Sequence, residues 1–125
     1  MIMKTLYEYS MGGEIMKEQS IAEIHVVPLG TGTTSLSSYV AGVIDTLKQT
    51  KDIKYQLTPM ATIIQGPLDR IFELAQQMHE APFTMGAKRV ATTIYIDDRR
   101  DKAITIDNKV KAVESKLNAN SDKVQ

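Results

Sequence analysis

The chain has 125 residues, with 15 Lys plus Arg balanced by 15 Asp plus Glu, no Cys, and 42% hydrophobic residues. This is the length and composition of one soluble domain with a single core, and a formal net charge of zero with scattered basic residues gives no electrostatic footprint for nucleic acid or an anionic membrane. Without Cys there is no disulfide scaffold, thiolate nucleophile or Cys-ligated metal, no apolar run reaches the roughly 18 residues of a bilayer span, and the N-terminus lacks the regions of an export signal; a cytoplasmic location is expected.

Residues 1–19 hold four of the seven Met and the Gly12-Gly13 breaker, without helical periodicity. They are expected to form an N-terminal arm or extension, with Met16 as an alternative start. The β-prone residues Thr5, Leu6, Tyr7, Glu8 and Tyr9 leave open an added edge strand or a partner-gripping arm beside a plain unanchored terminus.

From Ile21 a period of two sets in, with Ala22, Ile24 and Val26 on one side and Glu23, His25 and Val27 on the other, which predicts a first strand ending at Pro28. The turn Gly30-Thr31-Gly32-Thr33 then leads to Thr34 or Ser35 as N-cap of a helix. Its apolar stripe is Leu36, Tyr39, Val40, Val43, Ile44 and Leu47, the pattern of a helix lying on a sheet.

Ile53, Tyr55 and Leu57 alternate in a second strand, and residues 61–65 predict a third, joined through Thr58-Pro59-Met60 as a hairpin. Gly66-Pro67 opens a second helix with Leu68, Ile71, Phe72, Ala75 and Met78 facing inward, which Pro82 and Gly86 bring to a stop. Residues 90–97 predict a fourth strand, with Val90, Thr92, Ile94 and Ile96 on one face. A third helix from about Thr105 carries Ile106, Val110, Val113 and Leu117. The domain is expected over residues 20–118, with a fraying tail over 119–125.

The order βαββαβ plus a terminal helix predicts an α+β, ferredoxin-like antiparallel sheet with two helices on one face. The other face, with Val27, Leu29, His25, Thr and Tyr residues, is too apolar for a fully solvated sheet and is expected to meet another subunit or the third helix.

Enzyme chemistry finds little support. The two histidines, His25 and His79, lie on different elements without carboxylates at metal-ligand spacing; His25 reads as an interface or polar-face residue and His79 as a partner of a helix C-terminus. Ser35, Ser37 and Ser38 have no histidine near them in sequence and no nucleophile elbow. The Gly30 to Thr34 loop lacks the spacing and the Lys of a phosphate loop, but it offers N–H groups and hydroxyls that could hold a small polar ligand, or simply cap the helix. The run Asp97-Asp98-Arg99-Arg100-Asp101-Lys102 reads either as local ion pairs or as an Arg fork crossing a subunit boundary.

Val26-Val27-Pro28-Leu29-Gly30-Thr31 leading into Thr34-Ser35-Leu36-Ser37-Ser38-Tyr39-Val40, together with Ile96-Asp97-Asp98-Arg99-Arg100-Asp101, resembles the YkoF-like thiamine-binding protein family. The resemblance spans about residues 21–117 and implies a ferredoxin-like fold, assembly into dimers or dimers of dimers, and binding of thiamine or its hydroxymethylpyrimidine portion without an established reaction. On this reading the ligand is held by hydroxyls of Thr31, Thr34, Ser35 and Ser37, with Tyr39, Met60 and Thr62 as walls, and Asp98 and Arg99 lie at an oligomer interface. The expected protein is a non-enzymatic binder of a small molecule with no metal and no resident cofactor, its partners being its own copies. An acylphosphatase-like enzyme would need a cationic first loop, and an RNA-binding module would need aromatic platforms on the central strands; the sequence has neither. The remaining alternative is a structural or regulatory oligomer with an incidental pocket.

Overall fold

The computed structural model describes residues 8–11 and 14–124. Strands β1 (Glu8–Met11) and β2 (Glu14–Lys17) pair antiparallel as a two-stranded hairpin of their own. The N-terminal arm thus adds no strand to the main sheet among the described residues; Thr5, Leu6 and Tyr7 lie outside them.

The domain proper follows as β3 (Ser20–Pro28), α1 (Ser37–Lys48), β4 (Lys54–Leu57), β5 (Thr62–Gly66), α2 (Leu68–Thr84), β6 (Val90–Asp97) and α3 (Ile106–Val124). The four strands β3 to β6 form an antiparallel sheet in the order β4-β5-β3-β6. β5 lies between β3 and β4, and β3 between β5 and β6, so each crossover helix spans a strand that pairs between its neighbours. This is the split-βαβ, ferredoxin-like arrangement anticipated from the element order.

Alternation in β3 decides which face carries the core. Ala22 and Ile24 are buried, while Glu23 and His25 between them are half-buried and Val27 is exposed. Register places Ile64 and Ile96 beside Ala22, and Thr62 and Ile94 beside Ile24, so these side chains share the helix-facing side. Val43, Ile44 and Leu47 of α1 and Ile71, Leu74, Ala75 and Met78 of α2 close the core over them. Each large apolar side chain fully buried there contributes roughly 1.5–3 kcal/mol.

The inward face of α2 is rotated from the expected one. Leu74 is buried and Phe72 is 53% exposed, because the buried set Ile71, Leu74, Ala75, Met78, Ala81 and Pro82 follows the 3.6-residue period past Pro82 and leaves Phe72 on its flank. Pro67 opens α2 as its extended N-cap, just before the first helical turn. Pro82 does not end α2: the helix runs to Thr84 and closes at Gly86 (φ +101°), where Gly86 N–H donates to the Phe83 carbonyl and Ala87 N–H to that of Pro82. This is a Schellman closure, in which glycine adopts the left-handed conformation at little cost.

The expected caps of α1 also shift. Leu36 is the N-cap and no side chain bonds the helix end, so neither Thr34 nor Ser35 caps it. α3 does begin at Thr105, whose hydroxyl accepts the Asn108 N–H at 3.0 Å, and it continues to Val124 through the segment expected to fray. Its first turn is fastened across one end of the second sheet face, over the row Lys54, Gln65, Ile21 and Asp97: Gln65 Oε1 accepts the Ile106 N–H at 2.9 Å, Lys109 Nζ reaches Asp97 at 2.5 Å, and Lys54 lies 3.6 Å from Asp107. Every residue from 107 to 121 is exposed, so α3 covers only the Gln65 end of the second sheet face with its first turn and leaves the remainder uncovered. That remainder, with Glu23, His25 and Val27 beside Ile63, Thr93 and Tyr95, is open.

Candidate functional site

The β3–α1 loop turns through Gly30 (φ +70°) and Gly32 (φ +77°), a left-handed geometry that a side chain would strain. The loop satisfies part of its own polar content. The Thr31 hydroxyl donates to the Thr33 carbonyl at 3.0 Å, and the Thr33 hydroxyl accepts the Ser35 N–H at 3.2 Å. On the far side of the sheet end, the β4–β5 turn is locked by Thr58. Its N–H and hydroxyl both donate to the Ala61 carbonyl, and its hydroxyl accepts the Ala61 N–H. Met60 stands out from this rigid turn, 81% exposed.

Between the two loops a cavity of about 180 Å³ opens under α1 and α2. Its walls include Leu36 and Val40 of the α1 start, Met78 of α2, and Leu57, Met60 and Thr62 from the hairpin. None of its lining residues is Asp, Glu, Lys or Arg. An open hollow of about 540 Å³ lies beside it, formed by the Gly30 to Thr34 loop and sharing Val27 and Leu36 as a common wall. The arrangement is an apolar compartment next to a hydroxyl-lined one.

The expected site residues are distributed unevenly over these two spaces. Met60 and Thr62 line the cavity, and Thr31 and Thr34 line the hollow. Ser35 and Ser37 are exposed with their hydroxyls 3.4 Å apart, and neither they nor half-buried Tyr39 line either space. Val40, Leu57 and Met78 are walls that the sequence reading assigned to core or strand. Helical and strand periodicity reports which way a side chain points, but not whether the layer above it is filled.

The Asp98/Arg99 segment forms two local forks in the single chain. Arg99 Nε and Nη2 donate to Asp101 at 2.5 and 2.8 Å, and Arg100 pairs with Asp98 at 2.8 Å. The Arg99 guanidinium holds the Asp101 carboxyl down at about 2. His25 Nε2 lies 2.6 Å from Glu23 Oε1 on the open face. His79 is not at a helix terminus, because α2 continues past it; its Nδ1 instead hydrogen-bonds the Thr92 hydroxyl at 2.7 Å and its ring meets Phe83 edge-on. Among the described residues no group of three or more His, Cys, Asp or Glu is placed to hold a metal ion, and no helix is long and apolar enough to cross a membrane.

Residues 22–114 match the family model described as thiamine-binding protein. The chain belongs to this thiamine-binding protein family. It is 48% identical over 101 residues to the UPF0045 protein YqgV of Bacillus subtilis, covering 78% of this chain and 97% of that one. A UPF0045 protein of Staphylococcus xylosus is 49% identical over 102 residues, covering 79% and 95% of the two chains. The fold is similar to the crystal structure of the hypothetical protein MJ1052 of Methanocaldococcus jannaschii, with a TM-score of 0.70 and 33% identity over 78% of this chain and 97% of that one. The matched region of the family domain holds both the cavity and the hollow, and leaves out the N-terminal hairpin and the end of α3.

Proposed function

We propose that the chain binds thiamine or its hydroxymethylpyrimidine portion without chemically changing it, with the pyrimidine ring in the cavity beneath Met60. The observation that carries this reading is the cavity itself: about 180 Å³ with no Asp, Glu, Lys or Arg in its lining, close to the ~150 Å³ apolar cavity that admits a benzene ring. A single neutral aromatic ring suits such a space. A second, cationic ring would have to lie outside, where it finds no carboxylate among the hollow's residues, so the pyrimidine portion fits better than the whole molecule. Thr62 at the cavity wall, and Thr31 and Thr34 beyond Leu36, supply hydroxyls for ring-edge and hydroxymethyl groups.

The protein works as a cytoplasmic homo-oligomer, a dimer or dimer of dimers, in which the open sheet face is covered by another copy and the Asp98/Arg99 segment lies at the boundary. Family membership and the half-apolar character of that face support this assembly.

Thermal melting with hydroxymethylpyrimidine, thiamine and the isolated thiazole tests the ligand. At about 100 times its dissociation constant a ligand adds about 2.7 kcal/mol, or roughly 10 °C for a domain of this size. The expected order is hydroxymethylpyrimidine at least equal to thiamine, with no effect of thiazole. Because Thr34 does not cap α1, Thr34→Ala reads on affinity with the melting point of the free protein unchanged, and is expected to weaken binding by about 1–3 kcal/mol. No calorimetric heat with any of the three compounds at millimolar concentration overturns the assignment in favour of a structural oligomer with an incidental pocket.

A further inference from the structure

α3 is 19 residues long and leaves the sheet after its first turn. In folded proteins most of a helix's stability comes from the packing of an apolar face and not from intrinsic propensity. Here the apolar residues Val110, Val113 and Leu117 are 52%, 58% and 58% exposed, and the helix extends past residue 114, where the family match stops.

The spacing of that face identifies its occupant. Ile106, Val110, Val113, Leu117 and Asn120 recur at intervals of 4-3-4-3, the narrow 3.5-residue seam of a coiled coil and not the wider stripe of a helix that lies on a sheet. With Val110 and Leu117 at heptad position a and Val113 at d, Lys109 and Lys116 fall at g, and Asp107 and Glu114 at e. A parallel pair of such helices sets Lys109 of each copy against Glu114 of the other. An antiparallel pair sets Lys against Lys and acid against acid along its flanks. We propose that α3 pairs with α3 of a second copy as a parallel, two-stranded coiled coil whose seam is Val110, Val113 and Leu117.

The seam spans only about two heptads, fewer than a free-standing coiled coil uses, but its base is already ordered. The Thr105 cap, the Gln65 bond to the Ile106 N–H and the Lys109 contact with Asp97 fix the first turn before any partner arrives, which lowers the ordering cost of association. Lys109 has three donors and can serve Asp97 and the second copy's Glu114 together.

The absence of native Cys makes disulfide trapping a clean test in the full chain. Val110→Cys and Leu117→Cys are single variants at exposed positions, and in a parallel pair each residue meets its own copy within disulfide reach. Each is expected to cross-link with itself about tenfold faster than Ser115→Cys on the opposite side of the helix. Adding Glu114→Lys to Leu117→Cys turns attraction into repulsion and is expected to slow trapping, with the effect fading at high salt. Helical content by circular dichroism and the ligand-induced melting shift report folding and the ligand site independently. Equal trapping at Ser115→Cys, trapping only in a mixture of the Val110→Cys and Leu117→Cys variants, or multimeric mass without trapping at either position overturns the parallel pair.

Discussion

Gln65 bears on both the domain and α3. Its side chain is 8% exposed on the outer side of β5, and its Oε1 accepts the Ile106 N–H at 2.9 Å. That N–H is one of the donors at a helix start that no intrahelical carbonyl can reach. Replacing Gln65 with Leu keeps nearly the same volume and removes the acceptor, leaving a half-buried donor without its partner. An unsatisfied buried donor costs about 1–3 kcal/mol; because Ile106 is only half-buried and water reaches part of the site, about 1–2 kcal/mol is expected here. In urea this moves the midpoint by roughly 0.5–1 M for a typical slope. Thr105→Ala removes the adjacent cap at about 1 kcal/mol. The double variant should lose less than the sum, since a first turn already released by one change has less left to lose. Urea unfolding of the four proteins, followed at 222 nm, measures this. A Gln65→Leu variant within about 0.3 kcal/mol of wild type, or full additivity with Thr105→Ala, would refute the claim that this one side chain anchors α3.

Gly66→Ala is expected to destabilise by about 1–3 kcal/mol, because a methyl there would lie 2.7 Å from Ile53 Cγ2; in an Ile53→Ala background most of that cost should vanish, and a persisting cost would place the conflict elsewhere. Asp101 should titrate at about 2, against about 3.9 in an unfolded chain. Its folded value is depressed, so its small surface contribution to stability is present above about pH 4 and is lost as pH falls towards 2. Carboxyl NMR titration should show the Asp101 midpoint return to about 3.9 in Arg99→Ala, and an unchanged midpoint would contradict the fork with Arg99.

The sequence by itself determined the element order, the fold class and the family. Period-two alternation in residues 21–27 and the stripe through Val43, Ile44 and Leu47 are local consequences of strand and helix geometry, so they sort core from surface before any contact is known. The Thr105 start of α3 was legible for the same reason, since a capping hydroxyl and the N–H it accepts lie three residues apart. Tertiary structure alone decided that α2 turns Leu74 inward and Phe72 outward, because that choice depends on the sheet beneath the helix. It also decided that Met60 and Thr62 meet Val40 and Met78 around one cavity while Ser35, Ser37 and Tyr39 stay outside it. A cavity is the space that several distant segments fail to fill, and no single stretch of sequence carries that sum. The Gln65 anchor joins residues 41 apart in the chain. It was invisible for the same physical reason: a buried amide on a strand looks like any polar alternation until the fold brings a helix terminus to meet it.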